Sequence, residues 1–423
     1  MAVDVLIIGS GGREHALGWK IAQSPNVGKL YFAPGNGGTR ELGENVNIAA
    51  TAVEKLAEFA QTNSIDLTVV GPENPLAAGV VDAFKERGLK IFGPTQAAAQ
   101  MESSKVFSKT LMERAGVPTA QFQTFTDRKS AIKYVKTRGT PIVIKDSGLV
   151  FGKGVHICQT FPEAEAALTE IFTQPDKQVV IEDFLDGPEV SIHAICAGKQ
   201  FILFPASQDH KHIGEGGTGK MTGGIGSITP LPFVSPELLQ EIGETVVRPV
   251  LETLVKDGTP YSGLLYPGLI LTPNGARVLE YNARFGDPEC ELYMRIMKSD
   301  ILPVLEASAD GNLRNVSIEW DTAGCVNLML CSGGYPDEYE KGFPITGIEE
   351  ADAMEGVKVF HAGTSFSDGI VKTSGGRVLG VSAVAPTLRD ALRLAYQAAD
   401  KIQFEGKYYR HDIGAKSVTF KTP

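Results

Sequence analysis

The first 103 residues alternate short apolar segments with amphipathic ones, and this order restricts the fold more strongly than any other feature of the chain. The apolar segments suit strands (VDVLIIG, KLYFAPG, IDLTVVGP, LKIFGP), and the segments between them suit helices (REHALGWKIAQS, VEKLAEFAQTN, PLAAGVVDAFKERG). A repeated strand–helix–strand order predicts a parallel sheet with helices on both faces. We therefore predict an α/β fold that begins with a doubly wound parallel sheet in residues 1–103, with ligands at the carboxyl ends of its strands.

From about residue 104 the pattern changes to extended segments, longer helices and a glycine-rich tract. The dipeptide Asn274–Gly275 between two apolar runs is a strong hairpin signal. After residue 324, three apolar strands precede a helix that begins at Thr387. We predict two further domains, a central α+β domain in residues 104–323 and a small mixed β/α domain in residues 324–423.

Composition argues against several classes of function. The 423 residues carry a formal net charge of −10, whereas proteins with a general affinity for nucleic acid present a basic surface. No apolar run approaches the roughly 20 residues that a membrane span requires. The start, MAVDVLIIGS, suits a first strand and not a signal peptide. The five scattered cysteines lack metal-ligand spacing, so we expect reduced thiols and a cytoplasmic location.

The first glycine-rich turn, IIGSGGREHA, lies between a strand and a helix. It differs from a dinucleotide-binding turn, because Glu14 occupies the position of the third glycine and no acidic residue ends the second strand. A glycine-rich turn at a helix N-terminus still suits an anion such as a sugar phosphate. A tight turn between strand and helix would also account for the glycines, and both interpretations stay open.

A second glycine-rich segment, IVIKDSGLVFGKGVHI, has a strand on each side. It is not a Walker phosphate loop, because three residues separate Gly148 from Gly152 and Gly154 follows Lys153. The backbone N–H groups of such a loop, together with Lys145 and Lys153, suit phosphate oxygens. We predict a flap that covers a phosphorylated ligand; the alternative is a flexible hairpin with solvated lysines.

Two further segments carry polar residues that suit a nucleotide and a polar substrate. Glu182 and Glu189 flank a connection between strands, where a carboxylate would meet ribose hydroxyls, although both acids also fit ordinary turns. The glycine tract that follows contains Asp209, Lys211 and Thr222, and its glycines allow the backbone to approach a ligand closely. We predict an ordered substrate loop there, with a flexible linker as the alternative.

The segment VLEYNARFGDPECE places polar residues in alternate positions of a predicted strand. With a period of two, Glu280, Asn282 and Arg284 share one face with Val278. The two oxygen donors suit Mg²⁺ beside a phosphate, and the arginine suits a transferring phosphoryl group. Together with the lysine-bearing flap, this face indicates ATP; a solvated sheet face is the alternative.

Taken together, these motifs resemble those of the ATP-grasp ligases, and specifically those of the glycinamide ribonucleotide synthetases. The resemblance extends over nearly the whole length and includes IIGSGGREHAL, PGNGG, VVGPENPLAAGVVD, IFGPT, GKGV, DHK, TGGIG, EYNARFGDPE and YYRHDIG. It implies that residues 104–323 form an ATP-grasp domain with a flap subdomain at about residues 119–192. It also implies that ATP drives the ligation of glycine to 5-phosphoribosylamine through glycyl phosphate, giving glycinamide ribonucleotide, ADP and phosphate in de novo purine biosynthesis.

The resemblance further implies roles for individual residues. The catalytic residues would be Arg284, Asp287 and Lys153. ATP would be bound by Lys105, Lys145, Gly152, Lys153, Gly154, Glu182, Asp183, Phe184, Leu185 and Glu189. The other substrates would be bound by Gly9, Gly11, Gly12, Arg13, Glu14, Glu73, Asp209, Lys211, Thr222, Gly223 and Gly224. Glu280 and Asn282 would hold Mg²⁺ or, alternatively, Mn²⁺. The partners would be small molecules and not nucleic acid or membranes, and the enzyme would be a cytoplasmic monomer or homodimer.

Three departures from the family pattern concern the fit of the substrates. The flap reads KDSGLVFGKGV in place of KADGLAAGKGV, and Met221 replaces an asparagine in the glycine tract. The family motif GDPETQ is GDPECE here, with Cys290 and Glu291. These changes affect the expected substrate contacts more than the class of reaction.

Three other functions are less consistent with the sequence. A different ATP-grasp ligase, one that activates bicarbonate or formate, would continue differently after Arg284, so RFGDPE argues against it. An NAD-binding oxidoreductase is disfavoured by Glu14 and by the missing acid for the ribose. A non-catalytic ATP-binding module is disfavoured by the combination of Lys153, Glu280 and Asn282.

Overall fold

The computed structural model describes residues 2–148 and 154–419, and its N-terminal part is a parallel sheet covered by helices. The elements are β1 (Val3–Gly9), α1 (Gly12–Ile21), β2 (Val27–Pro34), β3 (Glu44–Asn45), α2 (Val53–Thr62), β4 (Leu67–Val70), α3 (Glu73–Ala77), α4 (Val80–Glu86), β5 (Ile91–Phe92) and α5 (Gln96–Ser103). The strand order is β3-β2-β1-β4-β5, with all neighbours parallel. The predicted doubly wound sheet is confirmed. One predicted helix is two, because Gly79 between α3 and α4 has a φ of 84°.

The side chains of β1 enter two apolar clusters in alternation. Leu6 and Ile8 pack with side chains of α2 and α4. Val5 and Ile7 pack with side chains of α1 and with apolar residues from the rest of the chain. Because this strand is buried on both faces, its sequence is almost continuously apolar.

The next segment forms a small antiparallel sheet. Its elements are α6 (Lys105–Ala115), β6 (Phe122–Phe125), α7 (Arg128–Arg138), β7 (Ile142–Asp146), β8 (Val155–Cys158), α8 (Phe161–Ile171) and β9 (Val179–Asp183). The strand order is β6-β9-β7-β8, and apolar residues of α7 and α8 pack against β7 and β9. The predicted flap loop connects β7 to β8. Gly152 and Lys153 of that loop lie outside the described residues.

The third part of the chain carries the predicted hairpin and the glycine tract. Its elements are β10 (Glu189–Ser191), β11 (Ala194–Ala197), β12 (Gln200–Leu203), β13 (Gln208–Asp209), β14 (His212–Gly214), β15 (Thr218–Met221), β16 (Gly226–Thr229), α9 (Pro236–Ile242), α10 (Arg248–Lys256), β17 (Ser262–Thr272), β18 (Gly275–Asn282), α11 (Glu289–Ile296) and α12 (Leu302–Ala309). The strands β10, β17, β11 and β12 form one sheet, with β18 paired to β17 as predicted. The glycine tract contains an ordered antiparallel hairpin, β14–β15.

A bulge in β18 changes which side chains share a face with Glu280. Gly268 of β17 pairs with Glu280, and Leu269 pairs with Val278, so Leu279 is an extra residue on β18. Val278 is fully buried in the core, whereas Leu279 lines a cavity beside Glu280. The period-two prediction that Val278 lies beside Glu280 was therefore wrong, since a bulge shifts the alternation by one position.

The C-terminal sheet includes strands from both sides of the predicted boundary at residue 323. The remaining elements are β19 (Gly324–Cys331), α13 (Ile348–Asp352), β20 (Val357–His361), β21 (Thr364–Ser367), β22 (Ile370–Thr373), β23 (Arg377–Ala385), α14 (Leu388–Lys401) and α15 (Ala415–Thr419). The strand order is β13-β16-β19-β23-β20. All five cysteines are buried and free. Within the described ranges, no helix has the length and apolar character needed to cross a bilayer.

Candidate active site

A cavity of about 790 Å³ is bounded by the helices α1, α3, α5 and α6, the flap sheet and β18. Most of the predicted site residues line it, namely Arg13, Glu73, Lys105, Lys145, Glu182, Asp183, Phe184, Leu185, Glu189, Asp209, Lys211, Thr222, Gly223, Glu280, Asn282, Arg284 and Asp287. Gly11 lines a smaller cavity nearby. Of the predicted residues that the structure describes, Gly9, Gly12, Glu14, Gly154 and Gly224 line neither cavity. The structure thus brings residues from distant parts of the sequence into one cleft.

Glu182 at the end of β9 is paired with two lysines. The Nζ atom of Lys109 lies 2.5 Å from one of its carboxylate oxygens, and Lys145 contacts the other. Burial opposes ionisation of Glu182, yet the two ammonium groups keep its pKa below the ordinary value. Burial lowers the pKa of Lys109 to about 8. Two cations around one acid leave excess positive charge in this wall, which suits an anionic ligand.

The ammonium group of Lys211 lies between two acids near the C-terminal end of β18. Its Nζ atom is 3.4 Å from Oε1 of Glu280 and 3.6 Å from Oε2 of Glu189. Lys211 is the main cause of the low pKa of Glu280, which falls to about 2. Glu280 therefore remains ionised, as a ligand for a divalent cation must be.

Glu280 and Asn282 offer the donor types that Mg²⁺ prefers. The carboxylate and the amide oxygen lie two residues apart on β18 and line the same cavity. In the described ranges, no cluster of three or more His, Cys, Asp or Glu side chains suits a metal ion. Because Mg²⁺ commonly combines one or two protein oxygens with phosphate oxygens and water, this pair fits an ion that arrives with a phosphate.

Arg284 connects the end of β18 to the N-terminal part of the chain. Its guanidinium group lies 3.2 Å from Oε2 of Glu73 and 2.9 Å from Oε1 of Glu102. It also donates to Oδ1 of Asn282 at 3.3 Å. Burial raises the pKa of Glu102, while Arg284 opposes this shift. These contacts hold the guanidinium group in one position at the cavity wall.

Glu14 supports the first glycine turn from inside the protein. Its Oε2 atom accepts a hydrogen bond of 2.5 Å from the backbone N–H of Gly11, and its Oε1 atom lies 2.6 Å from Nε of Arg13. The side chain is buried and fills the space where a Cβ atom at Gly9 or Gly71 would lie. The acid that disfavours a dinucleotide site therefore shapes the turn itself.

The second cavity, of about 370 Å³, adjoins the first one. Its walls include the first glycine turn and loops from the C-terminal part, with Ser10, Gly11, Gly35, Asn36, Gly363, Thr364, Ser374 and Gly375. The amide of Asn36 donates to the carbonyl oxygens of Ser10 at 3.0 Å and His361 at 2.8 Å. Asp287, Tyr335 and Arg377 line both cavities, so the two spaces meet at these residues.

Arg377, the first residue of β23, is the cation at this junction. Its Nη2 atom lies 3.0 Å from Oδ1 of Asp287. Its Nη1 atom donates to the carbonyl oxygens of Gly223 and Asp287, both at 2.6 Å. The hydroxyl of Tyr335 accepts a hydrogen bond of 3.2 Å from the N–H of Gly223. Arg377 thus links the glycine tract to the loop that carries Asp287.

Comparison with known proteins identifies the family of a chain with this site. Models of the N domain, the ATP-grasp (A) domain and the C domain of phosphoribosylglycinamide synthetase match residues 3–102, 103–290 and 325–416. The chain belongs to the phosphoribosylglycinamide synthetase family. It is 47% identical over 424 residues to the phosphoribosylamine–glycine ligase of Pasteurella multocida (strain Pm70), with 98% of each chain covered. The family resemblance inferred from the motifs is confirmed.

Solved structures agree with this family. The crystal structure of phosphoribosylamine–glycine ligase from Thermotoga maritima matches with a TM-score of 0.85 and 34% identity, covering 97% of this chain and 100% of that one. The biotin carboxylase domain of the 2-oxoglutarate carboxylase from Hydrogenobacter thermophilus, in complex with MgADP, ADP and bicarbonate, matches with a TM-score of 0.73. At 16% identity over 100% of each chain, that second likeness concerns the fold alone. The α/β fold with a doubly wound sheet and an ATP-grasp domain is confirmed.

Sequence reasoning did not find several polar residues of this family member's cleft. Lys109 lies four residues after Lys105 on α6, and this spacing could have placed both lysines on one helix face. Glu102, Tyr335 and Arg377 come from segments with no local signal of a site. They reach the cleft only through contacts that are distant in sequence.

Proposed function

We propose that this protein is an ADP-forming ligase that joins glycine to 5-phosphoribosylamine. A phosphoryl group passes from ATP to the glycine carboxylate and gives glycyl phosphate. The amine nitrogen then attacks the carbonyl carbon, the bond to phosphate breaks, and the amine loses a proton. The products are glycinamide ribonucleotide, ADP and phosphate, as in de novo purine biosynthesis.

We place ATP in the larger cavity. Val143, Val155 and Ile157 supply an apolar surface for the base, and Glu189 lies where a carboxylate can meet the ribose. Lys105 and Lys145 supply cations near the phosphates, and Lys105 already reaches the flap by donating to the carbonyl oxygen of Gly148 at 3.0 Å. We also assign phosphate binding to Gly152, Lys153 and Gly154 by family resemblance.

Phosphoryl transfer needs positioning and charge neutralisation more than covalent help from the protein. We assign Glu280 and Asn282 to Mg²⁺, with Mn²⁺ as a substitute, and the ion would neutralise charge on the phosphates. Arg284, fixed by Glu73 and Glu102, would bind oxygens of the transferring group. Closure of the cleft would exclude water and protect the acyl phosphate.

We place phosphoribosylamine in the smaller cavity, with its amine directed at the larger one. Ser10 and Gly11 of the glycine turn line this cavity just before α1, and helix N-termini favour anions such as the phosphate. Asp287, at the junction, would accept the proton that the attacking amine releases. The observation that carries the proposal is this meeting of a nucleotide-sized cavity and a smaller one at Asp287, Tyr335 and Arg377.

The test is an assay of ADP release with ATP, Mg²⁺, glycine and freshly prepared phosphoribosylamine, in which each component is omitted in turn. We expect ADP and glycinamide ribonucleotide in equal amounts, and only when all components are present. Release of ADP at an unchanged rate without glycine, or without phosphoribosylamine, would rule out the proposed reaction.

We further propose domain limits at residues 1–103, 104–323 and 324–423, with the flap at about residues 119–192. The N-domain and ATP-grasp models meet between residues 102 and 103, and the C-domain model begins at residue 325, which supports these limits. We propose a cytoplasmic enzyme that acts as a monomer or homodimer on small molecules.

A further inference from the structure

The C-terminal segment YYRHDIG has no role in the chemistry proposed above, yet it contacts the glycine tract directly. The hydroxyl of Tyr408 donates to the carbonyl oxygen of Ile213 at 2.6 Å. Arg410 donates through Nη1 to the carbonyl oxygen of His212 at 2.9 Å. Both acceptors belong to β14, the first strand of the hairpin.

The same segment holds the turn of the hairpin. The backbone N–H of Gly216 donates to Oδ2 of Asp412 at 2.7 Å. Arg410 is 4% exposed and holds that carboxylate through two hydrogen bonds, of 2.6 Å to Oδ1 and 2.8 Å to Oδ2. The segment is itself fixed to α14, because the hydroxyl of Tyr396 donates to the carbonyl oxygen of Arg410 at 3.1 Å.

The hairpin needs such external support. The tract has seven glycines from Gly214 to Gly226, and glycine loses more conformational freedom on ordering than any other residue. Residues 215–220 of the hairpin are exposed and contribute no apolar core. Hydrogen bonds to a fixed neighbour therefore add to the order of the hairpin, beside the packing of Ile213 and the ion pair of Lys220 with Asp337.

The hairpin contributes residues to the wall of the larger cavity. His212, Gly217 and Met221 line the cavity themselves. At the base of the hairpin, the N–H and the hydroxyl of Thr222 both donate to the carbonyl oxygen of Lys211, at 2.8 and 2.7 Å. Lys211 in turn contacts Glu280. A displaced hairpin would therefore displace Lys211 and Thr222.

We propose that Tyr408, Arg410 and Asp412 are positioning residues that hold the hairpin β14–β15 against the cleft so that it binds the non-nucleotide substrates. This inference rests on the proposed function for the identity of those substrates. The cluster of Lys109, Lys145 and Glu182 lies on α6, β7 and β9, so nucleotide binding depends less on this support than binding of the other substrates does.

The test compares two double variants of the full-length protein. Tyr408→Phe removes the bond to Ile213, and Asp412→Asn weakens the bonds to Gly216 and Arg410, because the amide oxygen of asparagine is an uncharged acceptor. The control, Tyr409→Phe with Asp400→Asn, removes a neighbouring tyrosine–aspartate contact of 2.5 Å that lies within the C-terminal segment and α14. Three kinds of measurement are made on each protein. They are hydrogen exchange of the backbone amides in residues 212–221, the Kd for MgADP, and the kcat and KM for glycine and phosphoribosylamine.

In the first variant we expect exchange in the hairpin to rise about tenfold. The kcat/KM for glycine and phosphoribosylamine falls by about 10- to 100-fold, because small displacements of binding groups are costly. The Kd for MgADP rises by a smaller factor, because Lys211 connects the hairpin to Glu189 and Glu280. The control variant behaves like the unaltered protein in every measurement.

Unchanged hairpin exchange in the first variant would overturn the proposal, as would faster exchange with unchanged kcat/KM. An equal loss of MgADP binding would show a general structural role instead. If the unaltered protein shows no turnover that depends on glycine, the proposed function fails, while the exchange data still decide whether the segment holds the hairpin.

If the double variant does not fold, Tyr408→Phe alone, at a side chain that is 37% exposed, provides the same comparison with Tyr409→Phe.

Discussion

At the scale of single residues, the charge state of Glu280 is central to the proposed chemistry. A carboxylate beside three lysines and an arginine stays ionised, and its pKa falls to about 2 chiefly through Lys211. The side chain is 34% exposed, so it is open to a ligand in the cleft. The carboxylate of Glu280 contacts Lys211 and would also bind the metal ion. Removal of its negative charge is therefore the first test.

The substitution Glu280→Gln keeps the shape of the side chain and removes the charge. We expect kcat to fall about 100-fold or more, as on loss of one charge-stabilising group, with little change in the circular dichroism spectrum. The control is Glu319→Gln, at an acid that is 73% exposed and pairs with Lys298 at 3.5 Å. Full activity of Glu280→Gln over a range of Mg²⁺ concentrations would show that the metal assignment is wrong.

Arg377 provides a second prediction, which concerns the geometry of a cation. Lysine in its place retains the charge, but its single ammonium group cannot contact the carboxylate of Asp287 and the carbonyl oxygens of Gly223 and Asp287 at once. We expect Arg377→Lys to raise the KM for phosphoribosylamine about tenfold or more, while the KM for ATP stays nearly constant. Initial-rate kinetics measure both values. The control is Arg393→Lys, at an arginine that is 71% exposed. If Arg377→Lys raised both KM values equally, the placement of Arg377 at the junction would be contradicted.

Residues of the cleft could be predicted where a local pattern carried them. Alternation along one strand revealed Glu280, Asn282 and Arg284, because a strand presents every second side chain to one face. Glu102 and Arg377 could not be found in this way. Each contributes through a partner more than 85 positions away in the sequence, Arg284 and Asp287 respectively, and no local period encodes such a contact.

At the scale of elements, hydrogen bonds join the C-terminal segment to the glycine hairpin. Hydrogen bonds from Arg410 lower the pKa of Asp412 from 3.8 to about 2. A carboxylate whose pKa is lower in the folded state adds stability above its unfolded pKa, and this stability is lost as pH falls through the folded value. The contribution of Asp412 is therefore present above pH 3.8 and disappears between pH 3.8 and about 2.

This shift predicts how Asp412→Asn changes stability with pH. We expect the variant to have a lower urea midpoint than the unaltered protein at about pH 7 and about pH 5, and the difference to shrink as pH falls toward 2. Urea unfolding followed by circular dichroism at several pH values checks this expectation. A difference that grows as the pH falls would mean that Asp412 is not stabilised in its ionised form.

Most elements could be predicted from apolar periodicity, but their irregular points could not. The strands of the parallel sheet and the β17–β18 hairpin follow from simple patterns in the sequence. The bulge at Leu279 and the break at Gly79 do not, because each depends on how the element packs against its neighbours. The bulge matters for the site, since it directs Leu279 and Glu280 to the cavity and leaves Val278 in the core.

At the scale of the whole molecule, the chain builds its cleft from all three of its parts. The glycine turn comes from the first part, the lysine cluster and β18 from the second, and Arg377 from the third. The sheet that contains β16 and β19 joins the second part to the third, with Ile228 paired to Val326. A pairing across nearly 100 residues is not visible in a local pattern, so the sequence did not reveal that one sheet joins these two parts.

Activation of the glycine carboxylate by phosphoryl transfer in this cleft is the central step of the proposed reaction. The direct measurement uses glycine labelled with ¹⁸O in its carboxylate, with ATP, Mg²⁺ and phosphoribosylamine, and follows the label in the released phosphate by mass spectrometry. We predict that one carboxylate oxygen appears in each phosphate, because the acyl phosphate loses that oxygen with the leaving group. Formation of glycinamide ribonucleotide with unlabelled phosphate would contradict the account.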